Sequence, residues 1–321
     1  MLTYIIRRII LSIPILFGVA LISFLLVYLA PGDPLGRFLT PNVRPEVLER
    51  LREIYGLDKP LFEQFVGWIT HYVQVWDPLA WGISITHRRP VLELIMERAP
   101  ATLLLMGTAL AVTVIVAVPL GMLAAIKQYS VADKVVTTFA TIGYAMPSFV
   151  LGTYLLYIGA VWTGVFPFRG MTSSLRSAGD PLDIAWHMVL PVASLAIQSI
   201  AGWSRYVRAT MLEVLHQDYI RTAKAKGLGS NRVNFRHALR NALIPVVTVV
   251  GFEIGILMGG SAIVEIIFGL PGMGNTLINA IFNRDYPVVQ AATMLIAAVF
   301  IFANLAVDLL YGVLDPRISQ E

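Results

Sequence analysis

Apolar residues in this chain come in blocks too long to be the buried stripe of a soluble helix. Residues 9–30 (IILSIPILFGVALISFLLVYLA) carry no charge, and nearly uncharged blocks recur at about 100–126, 135–163, 186–208, 243–266 and 287–311. Each is near the ~20 residues that take a helix through the ~30 Å hydrocarbon layer. The pattern predicts six transmembrane helices, and an even number returns both termini to one side. Between the first two blocks the pattern becomes amphipathic. Pro45–Ile54 has Glu46, Glu49, Arg50 and Glu53 at helical spacing, and residues 61–75 place Phe62, Phe65, Val66, Ile69, Tyr72 and Val73 on one side. Two short external helices are expected there, as a lid on the membrane surface or as a platform for a delivery protein. The fold class is therefore an all-α integral membrane protein with a small helical external segment. Pro147 and Pro191 predict kinks in the third and fourth blocks. Gly251, Gly255 and Gly259 form a small-residue stripe that predicts close helix packing in the fifth.

One polar stretch stands out between the fourth and fifth blocks. Asp218 to Val247 reads DYIRTAKAKGLGSNRVNFRHALRNALIPVV, with Arg221, Lys224, Lys226, Arg232, Arg236 and Arg240 against a single acid, Asp218. Tyr219 to Lys226 lacks Pro and Gly and predicts about two helical turns. Gly227 and Gly229 then end that helix, and Gly227 suits the positive φ of a helix cap. A second helix is expected over 231–244, with Pro245 opening the next span. Membrane topology alone needs only the charge. The order helix, glycine, helix, proline predicts a docking element for another protein, with Ala223 and Ala225 kept small by a tight fit.

Composition agrees with the membrane reading: 57% of residues are hydrophobic and 14% charged, against roughly 25% charged in soluble domains. The net charge of +4 matters less than its distribution. Arg7, Arg8, Lys127, Lys134 and the 205–240 cluster share one side, whereas residues 31–98 hold eight basic and nine acidic residues. The positive-inside rule makes the first side, and both termini, cytoplasmic. The first block is longer than a signal core and no small-residue cleavage site follows it, so it is expected to remain as a span. A nucleic-acid partner is not expected, since the basic residues flank spans rather than cover a soluble face.

Catalytic patterns are missing. No G-x-x-x-x-G-K-[ST] phosphate loop, HExxH or G-x-S-x-G sequence is present, there is no Cys, and the five histidines lack ligand spacing. Neither a catalytic residue, a metal site nor a cofactor is expected in this chain. Glu253 lies well inside an apolar block, where a carboxylate needs water or a partner. It either lines a cavity, with Gln198 as a weaker lining candidate, or is protonated and bonded to a neighbouring helix. Glu265 and Asp308 fall near block ends and are expected at the interface. Glu253 alone supports an ion-coupled secondary transporter, and nothing supports an intramembrane enzyme.

The stretch DYIRTAKAKGL…HALRNALIP resembles the cytoplasmic loop with which ABC importer permeases dock on their ATPase, in the wording of the dipeptide and oligopeptide class. It departs from the general importer motif, which has an acid and two alanines where this chain has Arg221, Thr222 and Ala223, and in which the closing proline comes earlier. The resemblance extends through Pro31-Gly32-Asp33-Pro34, Tyr55 to Pro60, Arg88-Arg89-Pro90-Val91, Val264 to Phe268, Pro271 to Gly274, Arg284 to Gln290 and Asp308 to Tyr311. It covers the chain from end to end and implies a type I ABC importer permease fold. Residues 1–30 would hold the cytoplasmic N-terminus and first span, 31–99 an external segment, 100–311 the permease core with its docking loop at 209–242, and 312–321 a cytoplasmic tail. Asp218, Tyr219, Arg221, Thr222, Ala223, Lys224, Ala225, Lys226 and Gly227 would form the ATPase-docking segment. The implied partners are a second permease, two ATPase subunits that bind ATP and Mg, an external solute-binding protein, membrane lipid and a peptide substrate. The implied location is the cytoplasmic (inner) membrane of a bacterium or archaeon. Related permeases carry glutathione, nickel complexes or oligosaccharides, and these stay open as substrates.

Overall fold

A computed structural model describes residues 2–29, 45–54, 58–74, 77, 79–173 and 179–314. The Pro31–Pro34 turn, Tyr55 to Leu57 and the last seven residues of the tail lie outside the described residues. Twelve helices follow in chain order: α1 Leu2–Tyr28, α2 Pro45–Ile54, α3 Leu61–Val73, α4 Val91–Ile126, α5 Val131–Ala145, α6 Ser148–Leu156, α7 Pro181–Leu215, α8 Asp218–Ala225, α9 Ser230–Arg232, α10 Arg240–Phe268, α11 Met273–Phe282 and α12 Tyr286–Leu314. Turns of π-helix extend α6 over Tyr157–Trp162 and join α9 to α10 over Val233–Leu239. Among the described residues, extended pairing is limited to one bridge between Ile83 and Pro90.

Among the described residues, four helices are long and apolar enough to cross a bilayer, and three bent pairs raise the number to as many as seven. Local chemistry explains the boundaries. Ser130 caps α5 by accepting the Asp133 N–H at 3.3 Å, and Asp180 caps α7 by accepting the Leu182 N–H at 3.0 Å, ahead of Pro181 at the first turn. Pro147 does more than kink its helix. Met146 is forced out of helical conformation (φ −90°, ψ 120°) by the following proline ring, so α5 ends and α6 leaves at 98° to it. Pro191 by contrast stays inside the 35-residue α7. Pro245 does not open a helix: it lies inside α10, and the axis bends by 43° between Val246 and Val249. A ring without an N–H, one turn inside a helix, loosens the ladder at that point.

The chain divides into two compact units. One comprises Met1–Ile6, Pro100–Asn275 and Phe302–Glu321, the other Arg7–Ala99 and Thr276–Ile301. The first has two buried clusters. One gathers Met122, Val207, Met211, Ile220, Val233 and Ala242, the other Leu105, Leu156, Leu195, Leu257, Val264 and Leu270. Glycines let helices nearly touch: a Cβ at Gly121 would lie 2.6 Å from the Ser204 carbonyl oxygen, and one at Gly251 2.6 Å from Asn304 Oδ1. Gly251 thus does the packing work expected of the stripe. In the second unit, Phe17 and Phe24 of α1 meet Phe65 of α3, with ring centroids 5.6 and 5.3 Å apart. The stack continues through Trp68, Tyr72 and Trp81. Burial pushes the Tyr72 phenol above its ordinary range, so it stays protonated.

Candidate functional site

Eight residues cannot hold a helix in water, so α8 depends on what it packs against. Ile220 and Ala223, one turn apart, are its two buried residues, fixed in the cluster of Val207, Met211, Val233 and Ala238. A glycine cap closes the other end. Gly227 has φ +77°, its N–H donates to the Lys224 carbonyl at 2.9 Å, and the Leu228 N–H donates back to Ala223 at 3.3 Å. This is the doubled bond pattern that a left-handed glycine permits after a helix. Tyr219 is held from the side, its hydroxyl accepting from Asn241 Nδ2 at 3.1 Å.

Asp218, Tyr219, Arg221, Thr222, Lys224, Ala225, Lys226 and Gly227 are therefore outward-facing on one anchored helix. Ala223 departs from this set: at 8% exposure it is small because of the chain's own core, and its side chain is not available to an outside cleft. The Arg221–Asp218 pair at 3.6 Å is solvent-exposed and contributes little to stability. The second expected helix exists, but it runs from Ser230 through the π turn into α10 without stopping at 244.

Glu253 is 5% exposed and bridges two helices. It accepts from the Ser199 hydroxyl and from Trp203 Nε1 at 2.9 Å, both on α7. Of the two arrangements open to it, this is the helix-bonded one. Gln198, half-buried beside Ser199, takes no part in these bonds.

Glu265, near the end of α10, is fully buried in the protein. Its Oε1 accepts from Thr102 Oγ1 at 2.6 Å and its Oε2 from the Asn275 N–H at 2.8 Å, while Thr102 Oγ1 accepts from the Met273 N–H at 2.7 Å. The carboxylate thus collects donors at the start of α11, which explains the preceding glycines: a Cβ on Gly272 would sit in its oxygen atoms. The Asp308 side chain lies outside the described residues.

Two further carboxylates collect partners that escaped the sequence. Asp133, 4% exposed, makes a two-pronged pair with Arg208 (2.6 and 2.8 Å) and also accepts the Tyr129 N–H at 2.9 Å. Arg208 is thereby removed from the free basic cluster. Asp285, 1% exposed, accepts from Ser84 Oγ (2.6 Å) and from the Ile85 and Thr86 N–H groups (3.0 and 2.9 Å). It joins the loop before Arg88-Arg89-Pro90 to the turn Arg284-Asp285-Tyr286, two motifs some 200 residues apart. Nothing local in the sequence pointed from Asp133 to Arg208 or from Asp285 to Ser84.

Apolar helices long enough to cross a bilayer, with a charged, anchored helix between them, define a multi-pass membrane protein. A solved amino acid ABC transporter crystallised with histidines shares the fold, with a TM-score of 0.50 and 19% identity over 70% of this chain and 94% of that one. The chain belongs to the binding-protein-dependent transport system inner membrane component family, which it matches over residues 117–320, preceded by that system's N-terminal membrane component over residues 1–106. It is similar at full length to curated permeases. Identity is 42% with the oligopeptide transport system permease protein AppB of Bacillus subtilis, over 99% of this chain and 100% of the relative. It is 39% with the dipeptide permease protein DppB and with the glutathione permease protein GsiC, both of Escherichia coli, over the whole of each chain. The protein is thus an inner-membrane permease subunit of the ABC class and not an enzyme.

Proposed function

We propose that this subunit forms half of the translocation pathway for di- and oligopeptides delivered by an external binding protein. Six spans of a type I importer, with both termini in the cytoplasm, surround that pathway together with those of a second, related permease. Residues 31–99 lie outside and 209–242 meet the cytoplasmic ATPases. Two such subunits bind Mg and ATP. Their closure pushes on α8, and the spans turn from an inward-open to an outward-open arrangement. Coupling arises because ATPase and substrate each bind the two arrangements with different affinity.

The observation that carries the docking role is α8 itself: exposed along its length, pinned by Ile220 and Ala223 and capped at Gly227. Such a helix transmits a push to the core and not to a loose loop. The test uses Ala225→Trp, which adds bulk to the outward surface. ATPase copurification or ATP-driven uptake in vesicles should fall at least tenfold, with membrane insertion unchanged. Wild-type values for both would remove the docking role. Ala223→Trp serves as a contrast, since it should destabilise the subunit itself. The equal similarity to the glutathione permease favours a second reading in which the cargo is a short, anionic peptide. Competition of labelled dipeptide uptake by glutathione distinguishes the two.

A further inference from the structure

A groove of about 490 Å³ runs along the second unit between α1 and the α11–α12 turn. Its walls are mainly apolar, with Val19, Ile22, Leu26 and Val27 on α1, Leu277 and Ile281 on α11, and Val289 on α12, interrupted by the hydroxyls of Ser23 and Thr293. One end carries the only charge in the lining, Arg284, with Tyr286 beside it. The groove extends from there to Val19 and Thr293. Tyr286 to Thr293 is about 10 Å of helix and Val27 to Val19 about 12 Å, at ~1.5 Å per residue. Half of a ~30 Å hydrocarbon layer is about 15 Å, so the groove is one leaflet deep.

Arg284 is held in place. Its backbone is left-handed (φ +52°), an uncommon conformation for a residue with a side chain. The next residue, Asp285, is fixed by its three bonds to the 84–86 loop, so the strained turn cannot relax. Asp285 turns both of its oxygens to that loop, and among the described residues no salt bridge engages Arg284. Arg284 is exposed immediately before the apolar stretch Tyr286–Val307 begins, and the ends of such stretches are where headgroups meet a span. Tyr286 has the amphipathic ring that settles at that level.

We propose that this groove is a binding site for one phospholipid of the leaflet at the Arg284 end, an acyl chain lying between α1 and α12 and the phosphate resting on Arg284. Any lipid-facing furrow touches acyl chains. A fixed cation at its headgroup end selects for a phosphate, through charge-assisted hydrogen bonds of a planar donor group. The proposal depends on the membrane reading and not on the cargo.

The test places the assembled transporter in phosphatidylglycerol nanodiscs with a trace of phosphatidylglycerol bearing an acyl-chain diazirine. A parallel sample carries diazirine-diacylglycerol, which lacks the phosphate. After irradiation, adducts are mapped by peptide mass spectrometry. The phospholipid adducts should be enriched on residues 19–27 and 277–289 over other lipid-facing helices. Arg284→Gln should lower them at least threefold and leave the diacylglycerol adducts unchanged, and Arg284→Lys should restore part of the loss. Ile281→Trp, which fills the groove, should lower both kinds. Partner copurification and thermal stability of each variant separate lost binding from lost folding. Uniform labelling of all spans, or adducts indifferent to both substitutions, overturns the proposal. So does cross-linking of the groove to the other permease subunit, which would make its occupant a protein.

Discussion

At the scale of single residues, the tightest constraints come from glycines and from carboxylates that collect donors. A Cβ on Gly274 would lie 2.5 Å from that of Ala262, and one on Gly272 would lie 2.5 Å from Glu265 Oε1. Gly274→Val must therefore push α11 off α10, and overpacking of this kind costs about 1–3 kcal/mol. A lower unfolding midpoint of the purified subunit in a mild detergent is the expected readout. Glu253 gives a sharper contrast. Glu253→Gln can turn its carbonyl to Trp203 Nε1, which only donates, and its amide to the Ser199 oxygen, which can accept. Uptake should then stay within about twofold of wild type, whereas Glu253→Leu strands the Trp203 N–H at a cost of about 1–3 kcal/mol. Altered selectivity in a stable Gln variant would return Glu253 to the translocation pathway.

At the scale of elements, α8 is defined by its tertiary contacts more than by its own propensity. Ile220→Ser should unpin it, so that amide protons of residues 219–226 exchange at least tenfold faster while those of α7 do not change; equal protection in both proteins would show that α8 stands alone. The sequence made the helix and its glycine stop legible, because Gly227 and the run free of Pro and Gly are local signals. It did not make legible which alanine faces inward. Two turns hold too few positions to define a face, and Ala223 is small for internal packing as readily as for an external fit. The α2 helix was readable in full from charge spacing. The break at Met146–Pro147 was readable as a disturbance but not as a 98° turn, because the angle depends on where the following helix finds its packing. The bonding of Glu265 was not legible for the same reason: its partner Thr102 is 163 residues away and no local pattern announces it.

At the scale of the whole molecule, the charge distribution predicts the orientation of the spans and gives a direct test. The native chain has no Cys, so single introduced thiols report without background. Glu63→Cys on α3 and Ser230→Cys on α9 are both at exposed positions. A membrane-impermeant maleimide should label the first in intact spheroplasts and the second only after permeabilisation. Labelling of Ser230→Cys alone would reverse the topology, and labelling of both would overturn the assignment. The length of α7 has a mechanical consequence. Its 35 residues make a rod of about 52 Å at ~1.5 Å per residue, far longer than the ~30 Å hydrocarbon layer. The far end continues into α8 after only His216 and Gln217. A rod of that length pivoting at its centre moves its tip about 5 Å for every 10° of tilt, by the same rise per residue. If the ATPases push on α8 as proposed, α7 is the lever and α8 its handle, and a displacement the size of one helical turn becomes a modest change of angle inside the bilayer.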